Sequence, residues 1–236
     1  MFSYDGYIKL ISEFKQEGYS FIYFTEESES IKQIILRHDI DNSIESALRL
    51  ARIEHELGVK STYFVLLGTD FYNPFSLSSK EMMKEIINLG HSIGLHFDCR
   101  NYRLEGKDGL LENIRKELGI LSNIIDMPVN VVSFHRPIKE YIGISLADDI
   151  ISTYEKRYFY DFKYISDSRM KWHDNPFEAI RQGMEKIQLL THAVWYGDAE
   201  ASPRERINQM KNEKKVALES ALVQNFTDYK SLMEEC

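Results

Sequence analysis

The chain has 236 residues, a length that one large α/β domain or two small ones would fill. Its 43% hydrophobic and 28% charged content belongs to a globular chain with a sizeable core, and a net charge of −8 argues against a nucleic-acid-binding surface. No apolar run approaches transmembrane length, Met1–Phe24 lacks the order of a secretory signal, and two cysteines (Cys99 and Cys236) argue against a disulfide framework or a cysteine-based zinc site, so cytoplasmic residence is expected.

Apolar positions at helical spacing predict a helix over Tyr7–Phe14, and Phe21–Phe24 reads as a short strand. Ile34, Ile35 and Leu36 open the stretch I-I-L-R-H-D-I-D, an apolar run suited to a sheet covered on both faces. Alternation there places Arg37, Asp39 and Asp41 on one side and Leu36, His38 and Ile40 on the other. A buried strand ends in so many ionisable groups only if they pair, bind a metal or do chemistry. A helix cap by Asp41 or Asn42, with Asn42 and Glu45 as a capping box, would account for one of them and not for the set.

After Asp41, apolar positions at Ile44, Ala47, Leu48 and Ala51 predict a helix that stops at Gly58. Ser61–Leu67 is the next strand, Thr69–Ser78 a loop containing Asn73-Pro74, and Ser79–Leu89 a helix closed by Gly90. His91–Phe97 is a strand followed by a polar loop through Gly106. A helix covers roughly Leu110–Ile125, and a strand over Asn130–Phe134 stops at Pro137. Lys139–Phe162 is aromatic and charged without a clear period; most aromatics here are expected in packing. Tyr164–Ser166 and Ile187–Leu190 read as strands, Phe177–Met184 as a short helix, and the chain from Pro203 onward as mostly helical. About seven strands alternating with helices predict a parallel sheet in a closed or nearly closed barrel. With no repeat or linker, residues 1–236 are expected to form one domain, with 1–30 and 203–236 as helical terminal extensions.

Sites in such barrels lie at the carboxyl ends of the strands. Those ends carry Asp39 and Asp41, then His96 and Asp98, then His135 and Arg136, then Asp167, then His192. Any one alone would more often be structural; their recurrence at one end of the barrel points to a shared site.

In these motifs the chain resembles the polysaccharide deacetylases of the NodB-homology superfamily, carbohydrate esterase family 4. The resemblance rests on L-R-H-D-I-D (Leu36–Asp41), G-H-S-I-G-L-H-F-D (Gly90–Asp98), F-H-R-P (Phe134–Pro137), the stretch from Asp167 to Trp172, and L-T-H (Leu190–His192), and it spans about Ile34–Trp195. It implies a single distorted (β/α) barrel, usually seven-stranded, and metal-dependent removal of an N-acetyl or other small N-acyl group from an amino sugar. It makes Asp39 the general base, Asp41 and His96 metal ligands, Arg136 the arginine that orients the base, His192 the catalytic histidine and Asp167 its tuning aspartate. Arg37, His38 and Asp98 beside these residues, with Trp172 and Trp195, are expected to contact substrate.

The family's second metal-binding histidine falls at Arg100, whose guanidinium only donates and cannot ligate. His135 and, behind it, Asp98 are the available substitutes; Asp41, His96 and His135 would suit a divalent ion, zinc first. In the competing reading His135 contacts substrate and no tight metal site survives. For function, a nucleotide-linked, lipid-linked or soluble precursor in surface-polysaccharide biosynthesis is expected as substrate. The alternatives are a glycan-binding barrel without turnover, or a hydrolase of a non-sugar amide or cyclic imide. The oligomeric state is left open.

Overall fold

The computed structural model describes residues 1–234; Cys236 and the end of the expected C-terminal helix lie outside the described residues. In chain order the main elements are α1 (Tyr4–Gln16), β1 (Ser20–Phe21), β2 (Gln33–Ile40), α2 (Ile44–Glu56), β3 (Thr62–Leu66), α3 (Leu77–Asn88), β4 (Ser92–Phe97), α4 (Gly106–Ile125) and β5 (Val131–Phe134). There follow β6 (Ile151–Ser152), α5 (Lys156–Phe159), β7 (Lys163–Ser166), α6 (Pro176–Arg181), β8 (Lys186–Thr191), α7 (Pro203–Asn225) and α8 (Tyr229–Glu234). Every strand pairing is parallel, as expected where helices separate consecutive strands.

Seven strands run in the order β6-β5-β4-β3-β2-β8-β7, with β1 paired to the start of β2. The sheet curls into a distorted barrel, and β6 and β7 at its two ends are not hydrogen-bonded to each other. Side chains bridge that gap. Gln188 on β8 donates to the carbonyls of Thr153 (3.1 Å) and Tyr158 (2.7 Å), and Arg37 on β2 donates to Thr153 Oγ1 at 2.6 Å.

All eight residues of β2 are buried, because one face of the strand meets helices and the other lines the barrel. Ile22, Phe24, Ile35, Phe64, Val131, Tyr158 and Phe162 plug the barrel with an apolar layer of their own, separate from the larger core under the helices. Gly94 on β4 is dictated by this plug, since a Cβ there would run into the Phe64 ring. The expected strand over Phe21–Phe24 is therefore cut to Ser20–Phe21: Ile22 and Phe24 go into the plug.

The cap of α2 is Ser43, not Asn42; its hydroxyl accepts from the Ser46 N–H and donates to Glu45 at 2.9 Å. The period-free stretch contains the two-residue β6 and the one-turn α5, too short to leave a repeat in sequence. In the N-terminal segment α1 buries Tyr7, Leu10, Ile11 and Phe14, whereas α7 leaves most of its length exposed. No helix among the described residues is long and apolar enough to cross a membrane.

Candidate active site

The barrel's axis grows more polar from the plug to its mouth. Above the plug, Arg37 is fully buried, its guanidinium against the Phe64 and Tyr154 rings at 5.4 and 5.3 Å and donating to Gln188 Oε1 at 3.0 Å. Its Nη2 donates to Asp39 Oδ2 at 2.9 Å. Burial alone would push the Asp39 carboxyl up, but Arg37, joined by His96 and His192, outweighs it and holds Asp39 below the usual carboxylate range.

The other Asp39 oxygen accepts from Ser133 Oγ at 3.4 Å, and Ser133 lies 2.6 Å from His96 Nδ1. With its proton given to Asp39, the Ser133 hydroxyl accepts from His96 Nδ1–H, which leaves the His96 Nε2 lone pair facing the mouth.

There His135 comes within reach of Asp41 and His96. His96 Nε2, His135 Nδ1 and Asp41 Oδ1 form a triangle with sides of 3.2 Å (His96–Asp41), 3.0 Å (His135–Asp41) and 3.2 Å (His96–His135). These are the three side chains among the described residues whose donor atoms could hold one ion. A tetrahedral ion with bonds of about 2.05 Å needs donors roughly 3.3 Å apart, close to what the triangle offers. Two imidazole nitrogens and a carboxylate oxygen this close repel unless a proton or cation sits among them. Without a cation the Asp41 contact pushes the His135 pKa up, while, against the effect of burial, both histidines hold the Asp41 carboxyl far below its usual range.

Loop contacts set the position of Asp41. Thr69 Oγ1 donates to its backbone carbonyl at 3.1 Å, and Tyr72 OH donates to the Ile40 carbonyl at 2.8 Å while accepting from the Leu66 N–H at 2.9 Å.

Across the mouth, His192 Nε2 lies 3.9 Å from Asp41 Oδ2. Its Nδ1–H donates to Asp167 Oδ1 at 2.6 Å, and its backbone N–H lies 3.1 Å from both Asp167 oxygens. Tyr196 OH donates to Asp167 Oδ2 at 3.0 Å, so the fully buried carboxylate faces only donors. Burial disfavours imidazolium, yet Asp167 overcomes it and pushes the His192 pKa up to about 9. The mouth is shallow: the Asp41, His135 and His192 side chains are 23%, 18% and 14% exposed.

Six of the expected site residues thus converge: Asp39, Asp41, His96, His135, Asp167 and His192. Arg136, Arg37, His38 and Asp98 do not play the parts expected of them. Arg136 is exposed, and among the described residues no ion pair joins it to Asp39; alternation sends it to the opposite side from Ser133 and His135. Arg37, expected to contact substrate, is sealed in the barrel and is the arginine that pairs with Asp39.

His38 sits on the helix-facing side of β2, stacked on Tyr63 (4.3 Å between centroids) with Nε2 2.7 Å from Glu54, and it cannot reach a ligand at the mouth. Asp98 is 3% exposed; its carboxylate accepts from the Arg100 side chain and from the Arg100 backbone N–H at 3.0 Å, which leaves neither a free ligand nor a substrate contact. Trp172 stacks on Phe2 at 6.2 Å, and Trp195 packs half-buried on the core in the turn after His192. Ser133, Thr69, Tyr72 and Tyr196 were not anticipated. Only Ser133 leaves a trace, as the polar residue in V-V-S-F two positions before His135.

No family profile and no curated protein matches the chain. Solved structures do. A carbohydrate esterase family 4 pseudoenzyme from Bacillus anthracis is 15% identical with a TM-score of 0.49, over 81% of this chain and 63% of that one. A mutant of that pseudoenzyme with restored enzymatic activity is 14% identical with a TM-score of 0.51, over 81% and 65%. The catalytic domain of a peptidoglycan N-acetylglucosamine deacetylase from Eubacterium rectale is 14% identical with a TM-score of 0.49, over 81% and 87%. The chain spans less than two thirds of the length of the first two. At this identity the likeness concerns architecture, and the chain has the distorted barrel fold of the family 4 carbohydrate esterases.

Proposed function

We propose that this chain is a metal-dependent amide hydrolase that removes an N-acetyl or other small N-acyl group from an amino sugar. The observation that carries the reading is the Asp41–His96–His135 triangle set directly above a buried carboxylate (Asp39) and beside a His192–Asp167 pair. Asp41, His96 and His135 would hold a divalent ion; two imidazoles and one carboxylate suit a borderline metal, zinc first. When bound, such an ion supplies Lewis acidity toward an amide carbonyl and acidifies water.

The chain's own groups divide the proton work. Asp39, kept ionised by Arg37, takes a proton at a carboxylate oxygen as general base. His192, kept protonated by Asp167, presents Nε2–H at the mouth and gives that proton to the departing amine. The carboxylate is pulled down and the imidazole pushed up, so the two protonation states coexist at neutral pH. Arg37 replaces Arg136 as the partner of the base, and His135 replaces the residue at position 100 as a ligand.

The test is acetate release from soluble, nucleotide-linked and lipid-linked N-acetylated amino sugars by zinc-loaded protein. Asp39→Asn should lower turnover by a factor of about 100 or more while zinc still binds, because it removes proton transfer and no ligand. Full activity in Asp39→Asn would refute the mechanism. Sugar binding without acetate release across the panel would favour a glycan-binding barrel.

A further inference from the structure

Helix α7 is fastened to the barrel through its first turns. Pro203 opens it behind a capping box of Ser202 and Glu205, and the buried Arg206 donates to the Phe2 carbonyl and to Gln209 Oε1, both at 3.0 Å. Met210 and Glu213 still line a crevice with Arg49 and Val194. Beyond Lys214 little covers the helix: every residue from Lys215 to Ala221 is exposed, and in the turns that remain Leu222 alone is half-buried.

This uncovered half is not polar. Leu218, Leu222 and Phe226 recur at every fourth position, with Val216 and Val223 seven apart beside them, which gathers all five on one stripe. Val216 is 69%, Leu218 62% and Phe226 52% exposed. The following α8 meets α7 through Tyr229 OH, which donates to Glu219 Oε1 at 2.7 Å, and leaves the stripe open. A helix of this kind gains its stability from packing its apolar stripe, and an open stripe of such size marks an interaction surface.

Charge along the helix indicates what covers the stripe. Lys211, Lys214 and Lys215 stand at the barrel end and outnumber Glu213; from Val216 to Tyr229 the only charges are Glu219 and Asp228. Lys211 and Lys215 continue the face of Leu218 and Leu222 at helical spacing. A stripe that is basic at one end and acidic at the other is complementary to itself when reversed. Parallel pairing would set lysine against lysine.

We propose that this face binds the same face of a second copy of the chain. The two α7 helices run antiparallel about a twofold axis near Ser220, with Leu218 against the partner's Leu222 and Lys211 beside the partner's Asp228. Sedimentation equilibrium of the full-length protein at micromolar concentration should show reversible association to twice the chain's 27.7 kDa. Leu218→Glu, at an exposed side chain, should weaken association by a factor on the order of a hundred and leave the monomer's urea midpoint unchanged. Lys211→Glu and Asp228→Lys should each weaken it about tenfold, because each reversal acts twice in a symmetric dimer, and the two together should restore it. A monomer at every concentration, or a dimer indifferent to Leu218→Glu, overturns the proposal. A double variant that associates no more tightly than the single ones overturns the antiparallel pairing and the proposal with it.

Discussion

Replacing Asp167 by Asn keeps the shape of the His192 partner and removes its charge. In the parent protein the imidazolium is favoured up to about pH 9 against an ordinary value of 6.5. That difference corresponds to roughly 3 kcal/mol. Because the folded-state pKa is the higher one, this stability is fully present below about pH 6.5 and disappears as pH rises through about 9. Asp167 is the largest of the groups that raise it, followed by Asp41 and Asp39, so Asp167→Asn should lower the His192 pKa by more than about one unit without restoring the ordinary value. The amide also turns donors toward the His192 N–H or the Tyr196 hydroxyl, at a cost of about 1–3 kcal/mol. Side-chain NMR of His192 against pH in metal-free protein gives the pKa, and urea unfolding at pH 6 and 9.5 gives the stability. In turnover, the alkaline limb of the rate profile should move down with the pKa. A parent His192 titrating near 6.5, or one unmoved by Asp167→Asn, would refute the reasoning.

Two further outcomes follow from the buried charges. Arg37→Met leaves the Asp39 carboxylate buried without its cation and should cost about 3–5 kcal/mol in urea unfolding, whereas the exposed Arg136→Ala should stay within about 0.5 kcal/mol; equal losses would return the pairing role to Arg136. Glu54, fully buried among Tyr7, His38, Ser61 and Tyr63, has its pKa lowered to about 2 because His38 and its other partners outweigh burial. It therefore contributes roughly 3 kcal/mol that is present above about pH 4.5 and lost as pH falls toward 2, and Glu54→Gln should flatten the stability curve over that window. An unchanged acid limb in melting curves from pH 2 to 5 would contradict it.

Strand β2 is legible in sequence because its residues are apolar on both faces until chemistry begins, and the alternating helices fix a parallel sheet before any contact is known. The strand-end census likewise includes Asp41, His96 and His135, since a barrel brings successive strand ends together, but it includes Asp98 and Arg136 with them. Alternation already put Arg37 on the side of Asp39 and His38 on the other. That period separates Arg37, in the barrel, from His38, under the helices, and Arg136, one residue past His135, leaves its strand on the opposite face. Glu54, the buried partner of His38, gave no warning, because on a helix it reads as one more surface acid. Thr69 and Tyr72 act through backbone carbonyls of another strand, and such contacts have no sequence spacing to detect.

In the proposed metal centre, His135 supplies the ligand that Arg100 cannot. X-ray absorption at the zinc edge, on protein loaded with one equivalent, counts imidazoles directly. We expect two histidine nitrogens at about 2.0–2.1 Å in the parent protein, one in His135→Ala with weakened affinity, no stoichiometric zinc in His96→Ala, and two again in Asp98→Ala. A single imidazole in the parent, or a spectrum unchanged by His135→Ala, would contradict the account.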